Sequence, residues 1–249
     1  MNPLIQSIYQ SRTVTGKSGA AIPLIGEIDP AEGAFLHRII SQDSSIAKTL
    51  EVGCANGLAS LHICDALGAR AGAHHTIIDP FQNSQWDGVG VRNLEQAGIR
   101  FFELIEKKSE LALPELLGRG EAQFDLVFID GWHTFDHTLL DCFYATRLLR
   151  TGGCLVIDDV GLSPVGRVTD YLSHYPCYEI FATLADAQPH SFKHRAARAV
   201  LNLLPATKRK RLFHPTFISR VFDEKSPRMI AFKKTAEDRR AWNWFPDGF

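Results

Sequence analysis

Four short apolar runs, each reaching an acidic residue or a glycine at its end, constrain this chain more than any other feature. They are AKTLEVG (47–53), HHTIID (74–79), FDLVFID (124–130) and CLVIDDV (154–160). A strand with one wet face alternates apolar and polar residues, whereas a run without that alternation is covered on both sides. Segments with helical spacing separate the runs. LASLHICDALGA follows the first, and FDHTLLDCFYATRLLR follows the third with Phe135, Leu139, Leu140, Phe143, Leu148 and Leu149 on one stripe. Thr134 reads as that helix's N-cap and Gly152–Gly153 as its stop. FFELIE adds a further strand. Buried strands alternating with helices predict a doubly wound, mostly parallel α/β sheet with helices on both faces.

With 249 residues and 45% hydrophobic content, the chain can bury one such domain. We expect a single domain over 1–249, with an N-terminal helical extension to about residue 45. In that extension DPAEGAFLHRII has the marks of a capped helix: Asp29 at the cap, Pro30 first, Glu32 closing the box. A basic, helical insertion is expected over about 186–227. Its centre, HSFKHRAARAVLNLLPATKRKRLFH (190–214), holds seven Lys/Arg and no acid. A solvated surface helix, a lid over an anionic acceptor, and peripheral contact with an acidic membrane through 193–211 all remain open for it. The C-terminal WNWFPDGF packs on the domain or on a second copy in a homo-oligomer.

The net charge of −1 argues against a protein built to bind nucleic acid. Five cysteines without CxxC spacing read as reduced core thiols. The first residues, MNPLIQSIYQSR, lack a signal-peptide core, and no run approaches a membrane span. The expectation is a soluble, cytoplasmic protein.

Parallel sheets bind ligands outside the carboxyl ends of their strands. The residues delivered there are Glu51 and Gly53, Asp79, Asp130, and Asp158 with Asp159. In LEVGCANG, Gly53, Ala55 and Gly57 are small enough for a ligand to approach the backbone. Asp79 follows Gly57 by 22 residues, a spacing that suits an acid gripping ribose hydroxyls. Asp130, Asp158 and Asp159 end neighbouring strands and could hold one divalent cation, Mg²⁺ above all. His133, with a pKa near working pH, suits a general base. The plainer readings are helix capping and loop solvation for the acids, and packing at a helix start for His133.

These motifs resemble the class I S-adenosylmethionine-dependent methyltransferases, whose Rossmann-like fold is the one expected above. LEVGCANG is similar to their first motif and Asp79 to their ribose-binding acid. KKSELALPELL resembles the segment whose serine, here Ser109, lies beside adenine. FDLVFIDGWHTFDHTLLDCFYATRLLRTGGCLVIDDV is similar to the metal-dependent small-molecule O-methyltransferases, in the branch of the macrolide-sugar and cephalosporin-hydroxylase-like enzymes. The resemblance spans about residues 25 to 185 plus RMIAFKK, and departs at Ala55, where glycine is commoner. It implies S-adenosyl-L-methionine as cofactor, bound by Glu51, Gly53, Ala55, Gly57, Asp79 and Ser109. It further implies a cation on Asp130, Asp158 and Asp159, with Asp130 and His133 serving O-methylation of a small polar metabolite or sugar. A metal-dependent hydroxylase-like enzyme and a non-catalytic nucleoside- or partner-binding module are the rival readings.

Overall fold

The computed structural model describes residues 2–17, 19–120, 124–187, 199–205, 208 and 225–246. Two helices open the chain, α1 (Pro3–Ser11) and α2 (Pro30–Gln42), with a two-stranded hairpin between them, β1 (Thr13–Thr15) and β2 (Ala21–Pro23). Then come β3 (Lys48–Val52), α3 (Leu58–Leu67), β4 (His74–Ile78), α4 (Val89–Gln96), β5 (Phe102–Ile105), α5 (Ser109–Gly118), β6 (Phe124–Ile129), α6 (Phe135–Leu148) and β7 (Leu149–Ile157). The chain closes with α7 (Ser163–Ser173), β8 (Tyr178–Ala187) and β9 (Lys225–Lys234).

Among the described residues, seven strands form one sheet in the order β5-β4-β3-β6-β7-β9-β8. The first five are parallel, and β9 runs antiparallel between β7 and β8. The direction of the order reverses beside β3, so the crevice falls where β3 and β6 diverge into their loops. Every residue of β6 is buried, as a run lacking alternation requires. One core lies between the sheet and α1–α3, around Phe35, Leu61 and Phe128; the other lies under α5–α7, around Leu113, Val127 and Leu155. All five cysteines are buried free thiols. Among the described residues no helix is long and apolar enough to cross a membrane.

The capping box at α2 forms as the sequence predicts: Asp29 accepts from the backbone of Ala31 and Glu32, and the Glu32 side chain accepts from Asp29 N. The end of α6 differs from expectation. Gly152 and Gly153 do not stop that helix; it ends at Leu148, and both glycines lie within β7. A Cβ on Gly153 would stand 2.9 Å from the Asp125 carbonyl and 2.7 Å from Leu149, so close strand packing, not a helix cap, requires the glycine. Thr134 occupies the N-cap position, but its hydroxyl faces the Asp136 and His137 side chains instead of the helix backbone. The basic segment at 190–214 and the last residues of WNWFPDGF fall largely outside the described residues.

Candidate active site

The sheet registers the site. Gly53 N donates to Ile78 O, Asp130 N to Val52 O, Asp158 N to Ile129 O and Asp79 N to Ile105 O. Each strand-end residue is thus pinned to its neighbour's last carbonyl, and four chains leave the sheet at one level. Above them opens a cleft of about 620 Å³, a size suited to one small ligand or cofactor. Gly53, Ala55, Asp79, Ser109, Asp130, His133, Asp158 and Asp159 all line it.

The glycine turn makes its floor. Gly53 has φ 91°, and a Cβ there would lie 2.0 Å from the Asp130 carbonyl oxygen. Gly57 has φ 79° and would place a Cβ 2.8 Å from Gly90. It packs against the first turn of α4 and does not line the cleft. Asp79 braces the turn: Oδ2 accepts from Cys54 N (3.0 Å), Ala55 N (2.9 Å) and Gln82 Nε2 (3.0 Å), and Oδ1 from Phe81 N (2.8 Å). Oδ1 keeps a lone pair for a ligand hydroxyl, whereas Oδ2 is fully engaged. Glu51 is not brought to the cleft. It is 0% exposed, accepts from Ser60 Oγ and meets His75 Nε2 at 2.8 Å, behind the turn.

At the other end of the cleft, His133 Nε2 stands 3.4 Å from Asp130 Oδ1 and 3.4 Å from Asp159 Oδ2. Asp130, His133 and Asp159 each offer one ligand atom, and these atoms lie within 4.8 Å of one another. Asp158 is set deeper: its Oδ1 accepts from Asp159 N at 2.7 Å and its carboxyl is buried. Asp159 adopts φ 53°, a conformation unfavourable for a side chain and concentrated at functional sites. Burial, then repulsion from Asp130 and Glu32, pushes the Asp158 pKa up. Burial likewise raises Asp130, against the pull of His133. The hydrogen bond to Asp130 raises His133. Acidic groups that resist ionising together form a place where a cation would relieve the strain.

Several lining residues escaped the sequence reading. Glu32 caps α2, yet it also faces Asp158 and pairs with Arg228 from β9. Its spacing from Asp29 signalled only the cap. Gly26 and Trp86 close one wall, with the indole 3.3 Å from where a Gly26 Cβ would be. No local pattern links two residues sixty positions apart.

The open, mostly parallel sheet with a glycine turn and an acidic rim at its switch point is the Rossmann-like fold of the class I methyltransferases. Residues 50–160 match a family model described as a methyltransferase domain. Two relatives from Dictyostelium discoideum are similar over 56% of this chain. "Probable caffeoyl-CoA O-methyltransferase 1" is 31% identical over 147 residues, and "Probable caffeoyl-CoA O-methyltransferase 2" is 28% identical over 144. This chain spans 58% of the length of each. Among solved structures, the O-methyltransferase TomG from Streptomyces achromogenes in complex with SAM aligns with TM-score 0.64 and 17% identity, covering 95% of this chain and 91% of that one. The O-methyltransferase from Bacillus cereus in complex with SAH aligns with TM-score 0.64 and 14% identity, covering 94% and 92%.

Proposed function

We propose that the protein transfers a methyl group from S-adenosylmethionine to a hydroxyl oxygen of a small polar molecule. The observation that carries this reading is the single row of strand ends, which sets the glycine turn and Asp79 beside Asp130, His133 and Asp159. The relatives described as probable caffeoyl-CoA O-methyltransferases, and the structural neighbours that are O-methyltransferases in complex with SAM or SAH, support it. The cofactor fits the cleft: the backbone at Gly53 is bare, and Asp79 Oδ1 can accept from a ribose hydroxyl.

Asp130 and Asp159, with Asp158 behind them, are the residues that would hold a divalent cation such as Mg²⁺, and His133 stands beside them as the base. Such an ion would lower the pKa of an acceptor hydroxyl and fix its orientation. The side chains supply the rest. Attack forms the oxygen–methyl bond as the carbon–sulfur bond breaks, and S-adenosylhomocysteine leaves. The hydroxyl proton passes to His133, whose neutral form is the competent one, while Asp130 holds the imidazole. One histidine with two carboxylates is the reverse of the two-histidine, one-carboxylate set of a non-haem iron hydroxylase, which favours methyl transfer over that rival.

Calorimetry with S-adenosylmethionine, followed by methyl transfer to sugars, catechols, RNA and protein with and without chelator, tests the reading. We expect binding, transfer to a small hydroxyl compound, loss of turnover in chelator and its return with Mg²⁺. Substituting His133 by alanine should lower turnover about 10²- to 10⁴-fold. Absence of cofactor binding would discard the enzyme reading; transfer to RNA or protein alone would discard the acceptor class.

A further inference from the structure

The loop between β4 and α4 holds one residue in a conformation that its side chain disfavours. Asp87 has φ 52° and Gly88 has φ 65°, so two consecutive left-handed residues lead the chain into α4. Glycine adopts that conformation freely; an aspartate there is uncommon and persists where its surroundings hold it. What holds Asp87 is the tip of the β1–β2 hairpin. Lys17 N donates to Asp87 Oδ2 at 2.7 Å, and a Cβ on Gly16 would lie 2.9 Å from the same oxygen. Lys17 Nζ donates to Asn83 Oδ1 at 3.0 Å, and Arg92 Nη1 of α4 donates to Gly16 O at 3.0 Å. Gly88 N closes the loop on itself by donating to Gln82 O at 2.6 Å. These bonds fasten to the loop a two-stranded hairpin that would be marginal alone.

Gly16, Lys17 and Asp87 do not line the cleft, yet the hairpin leads to two residues that do. Its tip reaches Trp86 through the adjoining Asp87. Its second strand, β2, runs on to Gly26, where Asn56 Nδ2 donates to Ile25 O and holds the segment over the glycine turn. The two branches meet, because a Cβ on Gly26 would stand 3.3 Å from the Trp86 indole and 3.9 Å from the Ala55 Cβ. One hairpin therefore braces both halves of the wall beside the turn. Resting on the methyltransferase reading above, we propose that Asp87 is a positioning residue for the cofactor. Its carboxylate, clamped by Lys17 N, fixes the left-handed turn that keeps Trp86 against Gly26, and the nucleoside meets a wall already in place. A wall ordered beforehand spares the ligand the entropy of ordering it.

Calorimetry with S-adenosylhomocysteine tests this on the wild type, Asp87→Ala, Asp87→Asn, Asp87→Gly, Trp86→Ala and the Trp86→Ala/Asp87→Ala double variant. Asp87→Ala should weaken binding about tenfold, the scale of one well-placed hydrogen bond. Asp87→Asn keeps an acceptor for Lys17 N and tolerates the left-handed conformation, so it should bind within about twofold of the wild type. Asp87→Gly adopts the conformation without strain but offers no acceptor, and should bind as weakly as Asp87→Ala. Trp86→Ala should also weaken binding, and adding Asp87→Ala to it should change little, because the clamp acts through the indole. Thermal melts without ligand mark any variant that has lost its fold; the asparagine and glycine variants, at a half-buried loop position, keep the comparison available. Wild-type affinity in Asp87→Ala or Asp87→Gly, an Asp87→Asn as weak as a folded Asp87→Ala, or additive losses in the double variant would overturn the assignment while leaving the methyltransferase reading intact. A wild type that does not bind the ligand would overturn both.

Discussion

Ala55 shows how far single residues could be read in advance. The sequence marks it as a departure from glycine, and the backbone explains why glycine is commoner: Ala55 sits at φ 46°, where a Cβ costs about 1–2 kcal/mol. Ala55→Gly relieves that strain but adds chain entropy to the unfolded state, so denaturant melts should show a change within about 1 kcal/mol. Gly53→Ala is another matter. Its Cβ would collide with a backbone carbonyl of β6's end, and we expect a loss of more than about 3 kcal/mol together with loss of cofactor binding. The glycines of the turn were legible because only small residues fit a crowded strand end. The four donors on Asp79 were not, since they come from a fold already formed. Asp141, buried on α6, was invisible for the same reason, and it carries a pH signature. Burial raises its carboxyl from 3.8 to about 7, so the folded state holds this proton more tightly than the unfolded chain. Stability contributed by that proton is complete below the unfolded value and is lost as pH rises to about 7, by up to about 4 kcal/mol. Asp141→Asn should then be more stable than wild type at pH 8 and gain much less at pH 5 in urea melts. An equal gain at both pH values would contradict this account.

At the scale of elements, the strands were plain in the sequence because burial on both faces leaves no room for alternation, and α2 was plain because its capping box is local. The end of α6 was misread because a glycine pair after a helix looks the same whether it caps the helix or packs inside the next strand. The helix α4 offered no stripe strong enough to be noticed, with only eight residues in it. The end of the sheet opposite the cleft holds a test of element-level cooperation. Asp125 on β6 accepts from Ala47 N (2.8 Å) and Lys48 N (2.7 Å) through Oδ2 and from Arg150 Nε (2.5 Å) through Oδ1. It thus ties the starts of β3 and β7 to its own strand. Asp125→Ala leaves two backbone donors and a guanidinium with lost partners, and should cost about 2–4 kcal/mol in denaturant melts. Cofactor affinity should not change, because this end of the strands is remote from the ligand rim. A variant of wild-type stability would show that water replaces the carboxylate.

For the molecule as a whole, the open parallel sheet could be inferred from strand–helix alternation, and with it the rim where acids would gather. The position of β9 between β7 and β8 could not, since an antiparallel return depends on long-range pairing. That strand brings Arg228 against Glu32 and Asp29, linking β9 to the start of α2 beside Asp158. The proposed function therefore has a thermodynamic consequence that needs no substrate. A ligand that binds only the folded state stabilises it by about 2.7 kcal/mol at 100 times its Kd, worth roughly 5–10 °C in a domain of this size. S-adenosylhomocysteine should raise the melting temperature on that scale, and it should do so equally in chelator, because in the proposed function Gly53 and Asp79 would hold it without the acidic cluster. Mg²⁺ or Mn²⁺ should give a separate rise, by removing the repulsion among Asp130, Asp158 and Asp159. Asp130→Asn should abolish the cation's effect yet leave the metal-free protein at least as stable as wild type, since it removes one member of a like-charged group. A nucleoside shift without a cation shift would confine the active site to His133 acting as a base alone. A cation shift that survives Asp130→Asn would move the metal away from this rim.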